Sequence, residues 1–259
     1  MRLTNVIQSV NIIKLLNKPQ IHYTMKQTTK LLSKGNTNAK TIKNNIETYI
    51  LYLAPATQLE GFNLCPFASE GCKKSCLYTA GRGAFSNVQT ARLNKTKIWA
   101  YDRSNFYVRL VDEILHISSI AVKQDRTIAI RLNGTSDIDH IELSKKYTGI
   151  ELLTLPNVIF YDYTKNPNHI KKYLNTSYKL TFSRSEINET KALDVLHMGG
   201  NIAVVFNDTL PIEWNGYKVI NGDETDLRYF DPVNVVIGLK AKGQAKKDTS
   251  GFVVNSKTI

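Results

Sequence analysis

Cysteine, tryptophan and methionine are scarce in this chain: three, two and three among 259 residues. An odd and small cysteine count is a poor disulfide framework at this length. No positively charged leader with an apolar stretch and small-residue cleavage site opens the sequence, so a reducing cytoplasm is the expected compartment. No run approaches the roughly eighteen apolar residues of a membrane helix. The longest, such as Asn201 to Phe206, are strand-sized, and no membrane partner is expected. Walker A, nucleophile-elbow and dinucleotide-binding motifs are also missing. This argues against P-loop ATPase, lipase-type hydrolase and Rossmann dehydrogenase chemistry.

Acidic residues are outnumbered, 22 against 34 Lys+Arg, which leaves a formal charge of +12. The excess is terminal: residues 1–60 hold eight basic and two acidic residues, and residues 235–259 hold five Lys and one Asp. Such a distribution suits a phosphate-bearing partner, and it suits a merely solvated surface equally well.

What is present divides into two parts. Residues 1–48 read as a basic N-terminal extension, with Val6, Val10 and Ile13 at helical spacing before Pro19 and a polar, basic stretch from Lys26 to Asn45. Residues 49–259 read as one α/β domain. Its strand candidates are Tyr49–Leu53, Thr127–Leu132, Val158–Tyr163, Tyr178–Phe182, Asn201–Phe206, Tyr217–Ile220 and Val235–Leu239. Each is continuously apolar, the pattern of a strand buried on both faces. Helical candidates lie at Asn87–Trp99, Phe106–Ser119, Ile141–Lys146, His169–Leu174 and Glu189–His197. Alternation of this kind predicts a mainly parallel sheet, as a full or partial (β/α) barrel or, second, as an open doubly wound sheet. Polar clusters after the strands favour the barrel: Asn133–Asp137, Asp162–Lys165, Ser183–Glu186, Asn207–Asp208, Asn221–Asp223 and Lys240–Lys242. In a barrel these ends converge on one face.

The three cysteines, Cys65, Cys72 and Cys76, fall within twelve residues in a loop from Gly61 to Gly83. Their grouping points to a ligand set, and Lys73, Lys74 and Arg82 supply positive charge that favours thiolates. Three thiolates can hold an iron–sulfur cluster with one open iron. They can also hold zinc, which needs a fourth ligand, for which His140 beside Asp139 is the best histidine. Unligated thiols are the third alternative.

The segments Asn63–Cys76, Arg131–Asp139, Phe160–Lys165, Asn221–Asp226 and Gly238–Val253 resemble the phage and plasmid family known as gene product 88. More distantly, the chain is similar to radical S-adenosylmethionine enzymes of the spore photoproduct lyase type, where a cysteine loop follows the first barrel strand. The spacing here, six residues then three, differs from their C-x3-C-x2-C. The resemblance implies a 4Fe-4S cluster on Cys65, Cys72 and Cys76, with S-adenosylmethionine at the open iron as the source of a deoxyadenosyl radical. It further implies that Asn133, Gly134, Ser136, Asp139, Ser183 and Ser185 hold the cofactor, and that Asp137, Tyr163, Lys165 and Glu186 border the reacting substrate. Asn221, Asp223, Lys240 and Lys242 would grip the phosphate of a nucleotide or nucleic acid. The setting it implies is the cytoplasm of a bacterial host.

Simpler roles exist for several of these residues. Asn133–Asp139 is also a turn with a helix cap, Asp162 and Lys165 also a local ion pair, and Ser183 with Glu186 also a capping box. Two rival functions remain: a zinc-stapled nucleic-acid-binding or replication-associated protein, and a nuclease using Asp137, Asp139, Asp162 and Asp223 around two magnesium ions.

Overall fold

A computed structural model describes residues 30–35 and 46–257. The helix expected near Val6 to Ile13 lies outside the described residues, as does most of the polar stretch after it. Strand β1 (Leu32–Lys34) pairs antiparallel with β2 (Glu47–Leu51). The sheet thus begins inside the segment expected to be an extension. Glu113 accepts the Leu31 and Leu32 amides at 2.7 and 2.9 Å, and the buried Lys95 ammonium donates to the Leu31 carbonyl. A strand of three residues held by side chains from distant helices leaves no periodic signal.

After β2 come α1 (Glu70–Lys74), α2 (Ser86–Tyr101) and α3 (Arg103–Lys123). Then β3 (Ile128–Arg131), α4 (His140–Thr148), β4 (Val158–Thr164), α5 (Pro167–Tyr173), β5 (Lys179–Ser183), α6 (Glu189–His197) and β6 (Asn201–Phe206) alternate. The chain closes with β7 (Glu213–Trp214), β8 (Tyr217–Asn221), β9 (Val236–Lys240) and β10 (Val253–Val254). All seven expected strands form within two residues of the bounds read from sequence.

The ten strands make one sheet in the order β1-β2-β3-β4-β5-β6-β9-β8-β7, with β10 beside β6. From β2 to β8 every pairing is parallel. The path ends at β1 and β7, which do not join. Register puts Ile130, Phe160, Phe182, Ile202 and Val236 on one face. The two large apolar clusters form on that face, and α2 to α6 all pack there. The stripe Phe106, Leu110, Val111 and Ile114 of α3 is buried in it, and each such side chain stabilises the fold by about 2 kcal/mol.

The opposite face carries Ala129, Tyr161, Ala203 and Ile237. It is covered in part by the turn around Leu227 and Tyr229 rather than by a helix. Beneath that turn Arg131 pairs with Asp226 at 2.9 Å and stacks on Tyr163.

β5 pairs with Asn201–Ala203 of β6, whereas β10 pairs with Val205 and Phe206. Since β9 occupies the other edge of β6 throughout, β10 enters where β5 and β6 separate at their carboxyl ends. Among the described residues no helix is long and apolar enough to cross a membrane.

Candidate functional site

The cysteine loop leaves β2 at its carboxyl end and folds over that edge of the sheet. Its first half is a self-bonded turn: Leu64 N–H donates to the Ala56 carbonyl, and Asn63 Oδ1 accepts from Cys65 N–H at 2.9 Å. Cys65 Sγ accepts the Ala56 amide at 3.3 Å and lies 3.7 Å from the Thr135 carbonyl in the loop after β3. Cys76 Sγ accepts the Tyr78 amide at 3.5 Å. Cys72 sits in the single turn of α1, whose cap, Ser69 Oγ, accepts the Cys72 amide. Backbone N–H groups aimed at sulfur stabilise negative charge there. Without a metal, burial pushes the Cys65 thiol up to about 12, and burial also raises Cys76.

Glu186, from the loop after β5, clamps this turn. Its carboxylate accepts Ser69 Oγ–H at 2.7 Å and the Gly71 amide at 2.8 Å. The capping box expected with Ser183 does not form, because α6 starts later, after Asn188. Instead Glu186 caps the cysteine helix, 115 positions earlier in sequence. Gly71 is confined from the other side by the C-terminal segment: a Cβ there would stand 2.7 Å from Phe252 Cβ and 2.8 Å from Glu186 Oε1. Arg184 holds that segment through the carbonyls of Gly251 and Phe252 and pairs with Glu189.

The loop after β3 is braced rather than open. Asn133 Oδ1 accepts from Ser136 Oγ and the Ile138 amide, both at 2.9 Å. Gly134 is small because a Cβ would meet Tyr52 and Ile50 within 2.7 Å. Asp139 caps α4 and accepts from Lys172 and Tyr173. Asn133, Gly134, Ser136 and Asp139, expected to bind cofactor, are therefore committed to the loop itself. Asp137, in the loop after β3, ties the cysteine loop to the end of β4: its amide donates to the Leu64 carbonyl, and its carboxylate accepts Thr164 Oγ1–H at 2.7 Å and the Lys165 amide at 2.8 Å. Asp162 does not pair with Lys165. It is buried under the Leu132 and Asn133 amides and the Tyr178 hydroxyl, with Arg131 Nε at 3.5 Å.

Lys165 Nζ donates to Ser183 Oγ at 2.7 Å and lies 5.6 Å from the Phe252 ring centre. Its charge and that of Arg92 both reach Cys76 and partly offset the upward push of burial. Ser185 binds the Asn188 side chain through its amide, and its buried hydroxyl has no partner. Tyr163 lies on the sheet face opposite the helices, under Arg131. Lys73, expected to balance the thiolates, is hydrogen-bonded to Glu70 at the surface.

Asn221, Asp223, Lys240 and Lys242 form a second group. Asp223 accepts Lys242 Nζ–H at 2.6 Å and the Lys240 amide at 2.8 Å, while Asn221 Oδ1 accepts the Asp223 amide. The chain after β9 then returns to the cysteine loop, where a Cβ on Gly243 would stand 3.1 Å from Ala80 Cβ. Beside it opens a cavity of about 320 Å³ lined by Asn207, Asp208, Lys246, Asp248 and Asn255.

Sequence reasoning passes over Ser69 and Arg92; it reads Gly71 only as a turn glycine and Arg184 only as part of a polar strand end. Arg92 had a signal: with Lys95 and Thr96 it puts polar side chains where α2 should carry an apolar stripe. Among the described residues no three His, Cys, Asp or Glu side chains stand together at metal-ligating spacing. The thiols are a loop-borne donor set, not a preformed cage. Three soft thiols, two of them receiving amide N–H groups, fit an iron–sulfur cluster. The fourth zinc ligand is harder to find. His140 is in the helix layer against Phe106 and Tyr107, with Nδ1 3.1 Å from the Tyr107 hydroxyl, and Asp137 has both oxygens engaged. The four carboxylates of the two-magnesium alternative are likewise each bound to separate donors.

No curated protein and no solved structure matches the chain. One family profile does, described as Gene product 88, and it spans residues 25–256, including all three cysteines and every strand end discussed above. The chain belongs to the Gene product 88 family.

Proposed function

We propose that this chain is an enzyme on a partial (β/α) barrel, in which Cys65, Cys72 and Cys76 hold an iron–sulfur cluster over the carboxyl ends of the strands. The observation that carries the reading is the loop itself. All the cysteines of the sequence leave the first parallel strand together, and two sulfurs receive backbone N–H groups. The helix layer on a single face supports a barrel-type winding, since a doubly wound sheet carries helices on both.

A cluster of this kind, with one iron left open, would bind the amino and carboxylate groups of S-adenosylmethionine and supply the electron for its cleavage. The chain's own residues have separate tasks. Glu186 and Ser69 hold the Cys72 turn, and Asp137 holds the Leu64–Cys65 turn against the end of β4. Lys165 and Ser183 face the ligand from β4 and β5, and Tyr163 lies below them. A nucleotide or nucleic-acid-related substrate would meet Lys246 in the cavity, which Asp208 and Asp248 also line, with Lys240 at the end of β9 and Lys242 just beyond it.

The test is anaerobic reconstitution of the full chain with ferrous iron and sulfide, followed by reduction and electron paramagnetic resonance with and without S-adenosylmethionine. A cluster signal that changes on addition is the expected result. Identical spectra remove S-adenosylmethionine from the reading. A colourless protein with one zinc per chain favours a zinc-stapled nucleic-acid-binding role, in which DNA or RNA affinity falls steeply with salt.

A further inference from the structure

Arg92 is a cation without an acid. Its guanidinium lies over the Tyr52 ring at 4.8 Å and the Tyr78 ring at 5.6 Å, and its Nε and Nη1 are buried with no hydrogen-bond partner. Among the described residues the groups that favour its charge are the two tyrosines and Cys76, with no carboxylate among them, and Lys95 is a like-charged neighbour. Burying part of a guanidinium without a counter-ion is costly, and burial accordingly weakens its hold on the proton. Such a group is retained where something else brings the negative charge.

The charge of Lys165 also reaches Cys76, and Lys165 has no carboxylate partner among the described residues. It spends one donor on the neutral Ser183 hydroxyl, and the carboxylate of Asp137 nearby is filled by Thr164 and by the Lys165 amide. Two ammonium donors remain. The aromatic walls match this arrangement: Tyr52 and Tyr78 fix the guanidinium plane, and Phe252 lies beneath the ammonium. Both cations are thus oriented before any ligand arrives.

We propose that Arg92 and Lys165 form an oxyanion clamp beside Cys76, which binds the carboxylate or phosphate group of the ligand that approaches the cysteines. The assignment rests on the proposed function for the ligand's presence there, but not on any metal. It also replaces an expectation from sequence, because Asn133 and Ser136, once the candidates for the ligand's polar end, are bonded to each other.

The clamp is testable on the metal-free full chain, so an absent cluster and an absent clamp give different results. In ¹⁵N-arginine-labelled protein the Arg92 Nε–Hε resonance is followed while methionine or inorganic phosphate is added at constant ionic strength. Assignment comes from Arg92→Lys, or from through-space contacts to the Tyr52 and Tyr78 rings if that variant does not fold. A saturable shift with methionine supports the clamp and names a carboxylate as its ligand group. One with phosphate supports it and names a phosphate. Lys165→Met should weaken the responding probe about tenfold, the loss of one charge-assisted hydrogen bond. No shift with either probe overturns the clamp, and undiminished affinity in Lys165→Met overturns the pairing.

Discussion

The Gly71 amide donates to Glu186 at 2.8 Å, with 115 positions of sequence between them. Through this bond the loop after β5 sets the pitch of the turn that carries Cys72. Glu186 is therefore a positioning residue, and its effect should be read at the cysteines. Glu186→Ala removes two hydrogen bonds to a carboxylate and should cost about 2 kcal/mol in denaturant unfolding. It should also broaden or shift the cluster signal of reconstituted protein. Glu186→Gln keeps an acceptor for Gly71 and should recover most of both. A Glu186→Ala protein as stable as the parent would contradict the clamp, and equal losses in Ala and Gln would show that the charge, not the acceptor alone, is required.

Gly71 offers a sharper packing test. Its hypothetical Cβ would collide with Ser250 Oγ and stand 2.7 Å from Phe252 Cβ and 2.8 Å from Glu186 Oε1, and of these Phe252 Cβ cannot swing away. Gly71→Ala should lower stability by about 1–3 kcal/mol, the usual cost of overpacking. Gly61, where a Cβ meets nothing, has φ of +79°, so alanine there tests backbone strain alone. A Gly71→Ala protein as stable as the parent would contradict the packing of the C-terminal segment onto the cysteine turn.

Metal-free protein should show a buried thiol at Cys65. Burial moves it up to about 12, so at pH 8 its alkylation by iodoacetamide, followed by peptide mass spectrometry, should be at least about tenfold slower than in denaturant. The sign for stability follows. The folded chain keeps a proton that the unfolded chain releases above its ordinary value near 9, so stability is full below pH 9 and falls as pH climbs towards 12. Fast alkylation in the folded state would place Cys65 outside the buried turn.

His140 gives the opposite pH dependence. Burial lowers it from 6.5 to about 3, so the folded chain stays neutral there while the unfolded chain takes up a proton. Stability should fall as pH drops from 6.5 towards 3, at up to ~1.4 kcal/mol per pH unit. The imidazole resonances of His140 should not move between pH 8 and pH 5. A midpoint near 6.5 would put the ring in water rather than against Tyr107.

Much of the scaffold was legible because β3 to β6, β8 and β9 are each a continuous apolar run, and α3 to α6 alternate with them. β1 and β10 were not legible, since three and two residues have no period. Their pairing is set by Glu113, Lys95 and Arg184, which lie far away in sequence. The site divides similarly. Cysteine clustering announced the loop, and the polar strand ends announced the edge above which it lies. What sequence could not show is that Asn133, Ser136, Asp139 and Asp223 are each hydrogen-bonded within the chain. Arg92 left only the polar interruption of α2 in the sequence, and its two tyrosines come from separate segments.

The most direct measurement is the content of iron, acid-labile sulfide and zinc in full-length protein purified without oxygen, repeated for Cys65→Ala, Cys72→Ala and Cys76→Ala. Iron and sulfide in equal amounts, a brown visible absorption and loss of both in each variant are the expected result. Colourless protein that takes up no iron and sulfide on reconstitution, or a cluster that survives removal of these cysteines, would contradict it.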